Sequence, residues 1–562
     1  MTINKIFFFN MKLILKNSLF IILLILGYNL SGQEINRDVI VIKPYEPTLS
    51  DAFKINTLPK IDDTVTFTPS FNYSILPVII ATEFEPKSIN PAKMTIPLTK
   101  LYKNYLKLGL GNYFTPLAEY SINSLRSKEY LVGAYLSHKS SPSKIKLDNK
   151  EKVPAGYSNN KINLYGKKFL NNATLSGNMK LHSNGIHYYG YNTELPNDTF
   201  PDVKGKDIKQ NYLLFSSAIG FHSTNADSVN INYSISAQND YFHDKFKNNE
   251  NTLVLAGSLM KPIGNQAFSI YASVTNFQRS KSIDSVNNTV ITAKHLYSNH
   301  SSEWKINLGF NAYIDILNKT KTYIYPKADL QFNIVENILV PFVGIDGFMN
   351  INSYRSIAGE NPFITPGLIA NKSRHKFVAY AGMKGKFSSK SMYKFDVTYS
   401  TIDDMHFFIN DTLIEYHNQF TVIYDDIELI KYHGEINFNL AEKIDVLLQG
   451  NYYKYVMTDE EKAWHKPGYD INLNFLYNLR NKILFDLDLT VIGERFAKSF
   501  NQATDHKKLE SIPDLNFGIE YRYSKILSGF ISLYNITSSS HFLWNQYPVQ
   551  KFNFLLGFSY KL

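Results

Sequence analysis

The feature that most constrains this chain is a long alternation of apolar and polar residues with a period of two. Between positions 304 and 316, Trp304 begins a series of apolar side chains at every second position, ending at Ile316. The intervening residues are mostly Lys, Asn, Asp and Gly. Successive side chains of a β-strand point to opposite faces, and thirteen residues in phase span about 43 Å. The pattern predicts a long strand between an apolar and a polar medium.

The same alternation recurs in much of the chain after residue 103, for example in 393–399, 471–477, 485–491 and 515–523. A soluble β-sandwich would also alternate, so alternation alone does not settle the fold class. The strands are long and numerous, and Tyr or Phe often stands near their ends, as in the aromatic girdles of membrane barrels. We therefore predict an all-β fold, a large transmembrane antiparallel β-barrel.

The spacing of the connections supports the membrane interpretation. Traced backward from the C-terminus, the predicted strands are joined alternately by short turns (524–525, 478–482, 441–443) and long loops (537–550, 493–514, 454–469). All three short turns then fall at the end of the barrel where the chain terminates. Outer-membrane barrels have short periplasmic turns and long extracellular loops. If the C-terminus is periplasmic, the long loops are extracellular.

The final strand carries the most specific local signal. Apolar side chains share one face of it, and we expect the barrel-assembly machinery to recognise this face and outer-membrane lipids to surround it. Its residues are Phe552, Phe554, Phe558, Tyr560 and Leu562, with Leu556 between them.

The first hundred residues differ in character from the rest. Lys12 and Lys16 precede an apolar run that ends at Leu26, and small residues follow, which predicts a cleaved signal peptide over 1–32. Removing its three Lys lowers the formal charge from +10 to about +7. Eight of the 21 prolines lie between Pro44 and Pro97, so residues 33–100 are predicted to be extended, either periplasmic or filling the lumen. Residues 101–562 would form the barrel.

The residues near the C-terminus resemble the closing hairpin of TonB-dependent receptors. The resemblance rests on Leu533–Ile536, then on the aromatic loop Phe542–Pro548 with its Tyr-Pro pair, then on the last strand. Ala463–Pro467, Leu339–Gly347 and Glu360–Phe363 resemble receptor-like barrels of Bacteroidetes. Such receptors carry a plug domain larger than segment 33–100.

The resemblance implies a TonB box near the N-terminus, an acidic residue followed by β-branched residues that pairs as an added strand. The matching residues are Asp38, Val39, Ile40, Val41 and Ile42.

The length after residue 100 predicts 16–22 strands, with 22 preferred.

The predicted function is solute binding or transport across the outer membrane, with TonB or another envelope protein as partner. The alternative is a passive pore or a structural subunit of an envelope complex without TonB coupling. We expect no enzyme activity, no cofactor and no nucleic-acid partner. The chain has no Cys and no Gly-x-Ser-x-Gly or His-Glu-x-x-His motif.

Four groups of residues are candidates for chemistry. His182 and His187 would bind a metal, or more simply lie solvated in a loop. Asp486 and Asp488 share the lumen face and would be hydrated or paired with Arg495 or Arg522. Trp464 and His465 would touch a ligand or anchor a long loop. The fourth group would give the lumen or loops a positive field, or would contact lipid phosphates at the rim. It consists of Arg126, Arg374, Arg480 and the many Lys.

Overall fold

A computed structural model of the chain describes residues 101–193, 204–223, 230–280, 286–317, 319–440, 443–499 and 506–562. The predicted signal peptide, segment 33–100 and the TonB-box-like residues Asp38 to Ile42 lie outside the described residues. The statements that follow concern the described part alone.

The described chain forms a single antiparallel sheet of 22 strands. We number them β1 to β22 in chain order: Asn104–Gly111, Thr115–Asn123, Tyr130–Ser141, Tyr157–Phe169, Ala173–His187, Lys209–Ser223, Asn232–Asp244, Asn249–Ile263, Gln266–Ser280, Val286–His300, Trp304–Ile316, Thr320–Phe332, Val340–Asn350, Ser373–Ser388, Ser391–Asn410, Phe420–Leu440, Ile444–Met457, Tyr469–Leu479, Ile483–Ile492, Ile512–Arg522, Leu527–Tyr534 and Asn553–Lys561.

The sheet closes on itself because β1 pairs with β22. Their register runs from Tyr105 opposite Lys561 to Gly111 opposite Leu555. At the seam, Asn104 and Leu562 exchange two backbone hydrogen bonds of 2.9 Å each. Closure leaves the sheet without an edge, so backbone groups of every strand find partners inside the wall, as a bilayer core requires. The predicted all-β barrel is confirmed, with the preferred count of 22 strands.

The two faces of the wall have the chemistry that the alternation predicts. In β11, Leu308 and Phe310 are 43% and 42% exposed, whereas Asn311 and Tyr313 on the other face are 4% and 3% exposed. Apolar side chains that are exposed on the outside of a closed sheet form a lipid-facing belt, and the polar face lines the lumen.

Exposed aromatic residues cluster at strand ends, as expected for a girdle at the membrane–water boundary. They occur at one end of the barrel in Tyr130, Phe221, Phe268, Phe332, Phe387, Tyr521 and Tyr523. In the terminal strand region, Phe552, Phe554, Phe558 and Leu562 are likewise exposed, and Tyr560 lies on the same strand face.

The two ends of the barrel differ in their connections. The turn end holds Leu562 and the short turns 480–482 and 523–526, and the loop end holds the connections 458–468, 493–511 and 535–552. The predicted phasing is therefore confirmed for the C-terminal part. Elsewhere the loop end also has short connections, at 245–248 and 317–319. The long loops consequently rise from only part of the rim.

Within the described residues, one helix, α1 (Tyr354–Glu360), lies in the long connection 351–372. The Ser353 hydroxyl caps it by accepting a hydrogen bond from the backbone N–H of Ser356 at 3.2 Å. No helix in the described part of the chain is long and apolar enough to cross a membrane. Three short hairpins lie at the loop end: 144–154, 495–509 and 542–548.

Single cysteines test which face meets lipid, since the chain has no native Cys. A water-soluble maleimide should label Asn307→Cys, on the lumen face, and leave Leu308→Cys unlabelled in intact membranes. Leu308→Arg should destabilise the barrel by about 2–4 kcal/mol, the cost of a cation near the bilayer midplane. Equal labelling of the two cysteines would contradict the assignment of faces.

Candidate functional site

The long connections at the loop end fold inward and pack together. We call this assembly the cap, and define it as residues 188–193, 351–372, 411–419, 458–468 and 535–552. Its interior is a continuous cluster of buried side chains that also reaches the strand ends below. The cluster includes Tyr188, Tyr191, Tyr354, Ile357, Ile364, Phe408, Phe420, Trp544 and Tyr547.

Hydrogen bonds in the cap cross the diameter of the barrel. Tyr188 follows β5 and Asn418 precedes β16, and these strands are eleven apart in a ring of 22. The Asn418 side chain donates from Nδ2 to the carbonyl oxygen of Tyr188 at 2.7 Å. The Asn192 N–H donates to the carbonyl of Tyr416 at 3.2 Å. Loops from opposite sides of the wall can touch only by meeting over the lumen, so the cap bridges the barrel mouth.

Tyr547 is the centre of this bridge. It is 1% exposed, and its hydroxyl donates to the carbonyl oxygen of Asn418 at 2.5 Å. Its ring lies 3.7 Å, between centroids, from Phe363 and 4.8 Å from Tyr189. A Cβ at Gly190 would approach the Tyr547 ring to 2.3 Å, so only glycine fits there. Burial raises the pKa of Tyr547 well above its ordinary value, so the hydroxyl remains a donor.

A second group of cap contacts surrounds His465. The Nδ1 atom lies 2.8 Å from the carbonyl oxygen of Phe408, and Nε2 accepts the backbone N–H of Asn545 at 3.3 Å. One nitrogen donates and the other accepts, which requires the neutral ring. Burial, the largest cause, lowers the pKa of His465 to about 4. Trp464 is buried beside it and donates from Nε1 to Glu460 at 2.7 Å. Trp464 and His465 were predicted either to touch a ligand or to anchor a loop, and these contacts support the anchoring of a loop.

Arg495 joins two of the long connections. Its guanidinium donates to the carbonyl oxygens of Phe542 and Leu543 and, at 3.3 Å, to that of Glu510. Burial lowers its pKa to about 10, which leaves it charged at neutral pH. The prediction that Arg495 pairs with the Asp486–Asp488 pair is wrong, since Arg495 is occupied by backbone carbonyls in the loops.

The C-terminal end of α1 is fixed by an ion cluster. Glu360 contacts His406 Nε2 at 2.7 Å and Lys466 Nζ at 2.5 Å. Burial would raise the pKa of Glu360, but the His406 hydrogen bond and the Lys466 charge outweigh it and lower the pKa to about 2. The cluster ties α1 to β15 and to connection 458–468.

The other end of α1 rests on carboxylates of the wall. Glu250 in β8 accepts the backbone N–H groups of Tyr354 at 2.7 Å and of Arg355 at 3.3 Å. The Tyr354 hydroxyl donates to Asp244 at 2.7 Å. Glu250 thus satisfies two of the free N–H groups of the first helical turn, and Asp244 holds the Tyr354 side chain, which together fix the helix over the lumen.

Below the cap, the lumen is lined by paired charges and amides. Lys327 contacts Asp346 at 2.5 Å, and Asn474 donates to Asp488 at 2.6 Å. Arg522 pairs with Glu520 at 3.5 Å, so its predicted pairing with the two aspartates is also wrong.

The predicted cationic residues divide between the two ends. Arg374 pairs with Asp403 at 2.9 Å, so its charge is compensated near the loop end. Arg126 and Arg480 lie in turns at the turn end, on the rim of the barrel.

The two histidines predicted to lie in a loop belong instead to β5. That strand continues to His187, and His182 lies within it. Gly185 lies in the same strand opposite Ser158, and a Cβ there would come within 2.6 Å of the Ser158 hydroxyl. No group of three metal-ligating side chains occurs among the described residues.

A cavity of about 400 Å³ lies between the cap and the barrel wall. Cap residues including Tyr189, Phe363 and Gln550 line one side, and wall residues including Tyr157 and Asp514 line the other. We call it the cap cavity. Its volume is in the range of small-molecule sites, about 300–1,000 Å³.

Sequence reasoning missed the cap as a unit. The signal available was the aromatic run Tyr188-Tyr189-Gly190-Tyr191 together with the aromatic loop Phe542–Pro548. Aromatic residues in loops do not contribute to a lipid-facing belt. In this structure they pack together in the interior of the cap.

The closed sheet, its apolar belt and its polar lumen define a large transmembrane β-barrel of the outer-membrane type. The predicted outer-membrane localisation agrees with this architecture.

Solved structures share the fold. The ferric-catecholate import receptor Fiu of E. coli K12, in its closed form, has a TM-score of 0.62 at 9% identity, over 82% of each chain. The siderophore receptor PirA of Acinetobacter baumannii has a TM-score of 0.62 at 10% identity, over 82% of this chain and 80% of that one. The FrpB iron transporter of Neisseria meningitidis has a TM-score of 0.64 at 7% identity, over 83% of each. At these identities the likeness establishes the fold. No protein-family model and no curated protein matches the sequence.

The buried neutral His465 makes the stability of the cap depend on pH. Its pKa is about 4 in the folded cap and 6.5 in the unfolded chain, so the unfolded state binds more protons between these values. Stability is full above pH 6.5 and falls as the pH drops toward 4, by at most roughly 3 kcal/mol. Hydrogen exchange of residues 458–468, corrected for the intrinsic pH dependence of amide exchange, should therefore accelerate as the pH falls over this interval.

The variant His465→Phe keeps a ring in the site and removes the titrating group. It should exchange faster at pH 7, because the contacts with Phe408 and Asn545 are lost, and should lose most of the acceleration between pH 6.5 and 4. His295→Phe, at a ring that stacks on the exposed Phe310, is the control and should behave as wild type. If the pH dependence of exchange in His465→Phe matched that of the wild type, His465 would not be the group that makes the stability of the cap depend on pH.

Proposed function

We propose that this protein is an outer-membrane receptor barrel that binds solutes at the loop end and passes them through the lumen. The observation that carries the proposal is the bridge of Tyr188, Asn418 and Tyr547 across the mouth of a wide polar barrel. A passive pore needs an open mouth, whereas a receptor needs a closed one that ligand and energy can open. The similar structures described as an import receptor, a siderophore receptor and an iron transporter support the same interpretation.

In this proposal the loop end faces the exterior and the turn end faces the periplasm. Both Leu562 and the first described residues lie at the turn end. A TonB partner would pull on Asp38, Val39, Ile40, Val41 and Ile42 by strand addition. The barrel-assembly machinery would recognise Phe552, Phe554, Phe558, Tyr560 and Leu562.

The cap predicts a specific conductance phenotype. In planar bilayers with KCl, the wild-type barrel should conduct weakly, because loops from opposite strands meet over the lumen. The double variant Asn418→Ala, Tyr547→Ala removes both donors of the bridge, costs about 1–3 kcal/mol for each group left unpaired, and should raise the conductance severalfold.

The control is Tyr523→Ala, which removes an exposed aromatic at the turn end and leaves the bridge intact. High wild-type conductance that the double variant does not change would favour the passive-pore alternative over a gated receptor.

Coupling to TonB can be tested by direct binding, without identifying the solute. The purified full-length protein should bind the C-terminal domain of TonB in a titration, and deletion of Asp38–Ile42 should reduce the affinity at least tenfold. Deletion of five residues at 88–92, in the same proline-rich segment, is the matched control. Equal binding by both deletion variants would remove the TonB model and leave an uncoupled barrel or an envelope-complex subunit.

A further inference from the structure

We propose that the cap cavity is a binding site for a small organic cation, an ammonium group on an apolar body. The proposal goes beyond solute passage, since it concerns binding at the junction of cap and wall. It rests on the charge of the lining, on an unpaired carboxylate oxygen and on the aromatic side chains around it.

One carboxylate gives the lining of the cap cavity its charge. Among the described residues that line the cavity, Asp514 is the single carboxylate, and there is no Lys or Arg. The two imidazoles, His187 and His541, are the other ionisable groups besides tyrosines. Burial lowers the pKa of His541, so it adds no positive charge at neutral pH. The lining itself therefore favours a cation over an anion.

In the described part of the chain, one oxygen atom of the Asp514 carboxylate accepts no hydrogen bond. Its Oδ1 atom is buried and has no hydrogen-bond partner among the described residues. The Oδ2 atom receives only a long contact of 3.4 Å from Asn516. Asn516 in turn accepts the backbone N–H of Asn535 at 3.0 Å, which fixes the pair. A buried carboxylate oxygen without a donor is costly, and an ammonium N–H is its strongest complement.

The rest of the lining suits the apolar body of such a ligand. Four aromatic residues, Tyr157, Tyr189, Phe363 and Tyr534, take part, and the Tyr189 and Phe363 rings meet edge to face at 5.8 Å. Tyr534 already interacts with an ammonium group, because Nζ of Lys139 lies 4.9 Å from its ring centroid. Aromatic faces attract cations through their quadrupoles.

Two bases near the cavity, Arg495 and Lys139, lie outside the lining and are occupied. The Arg495 guanidinium is bonded to loop carbonyls, and Lys139 lies over the Tyr534 ring. Because Tyr189, Phe363 and Gln550 belong to the cap while Asp514 and Tyr157 belong to the wall, a bound cation would contact both.

The test uses three probes of one shape: cyclohexylammonium, cyclohexanol and cyclohexanecarboxylate, titrated calorimetrically into the detergent-solubilised full-length protein. The ammonium should bind at least tenfold more tightly than the alcohol, and the carboxylate should bind weakest. Asp514→Asn should abolish the preference for the ammonium, while Asp445→Asn, at an exposed acid near the turn end, should keep it. Heat-modifiable gel mobility confirms that each variant is a folded barrel.

Equal affinity for the ammonium and the alcohol would overturn the proposal, and this comparison needs no variant. Tighter binding of an uncharged polyol, methyl glucoside, would overturn it as well. Binding by the purified protein and conductance in bilayers are separate measurements, so a failure here leaves the receptor proposal to its own experiments.

Discussion

Every part of this structure depends on the pairing of β1 with β22. Strand hydrogen bonds inside a bilayer have no water to replace them, so a sheet of 22 strands is stable there only if its first and last strands meet. The antiparallel register of Tyr105 with Lys561 and of Gly111 with Leu555 provides that closure. Once the wall is closed, one face of each strand must contact lipid and the other must enclose the lumen. The same closure fixes the circle of strand ends from which the loops rise.

The sequence predicted the wall well because the wall is governed by local chemistry. Period-two alternation is imposed on each strand separately by lipid on one side and water on the other, so residues 304–316 reveal their strand without reference to neighbours. The turn positions near the C-terminus were likewise predictable, since Ser524 and Lys525 interrupt an otherwise regular alternation. The strand number followed from the length that such strands and turns consume.

The cap was not predictable by the same reasoning, because its contacts join residues that are far apart in the chain. Asn418 donates to Tyr188 across 230 positions, and Tyr547 donates to Asn418 across 129. Nothing in the local pattern of either loop specifies its partner. Local reasoning also failed at His182 and His187, which were predicted to lie in a loop but belong to a strand, where Gly185 leaves room for the side chain of Ser158. The pairing predicted for Arg495 failed for a related reason: its partners are backbone carbonyls, which no sequence pattern displays.

The bridge between Tyr188 and Asn418 has a mechanical consequence. The wall is a ladder of many cooperative backbone bonds, whereas the span across its mouth consists of a few side-chain and backbone contacts between loops. Force or a competing ligand will therefore break the span long before it disturbs the ladder. In the proposed receptor, the mouth would therefore open through the loss of these few contacts, while the part embedded in lipid keeps its register.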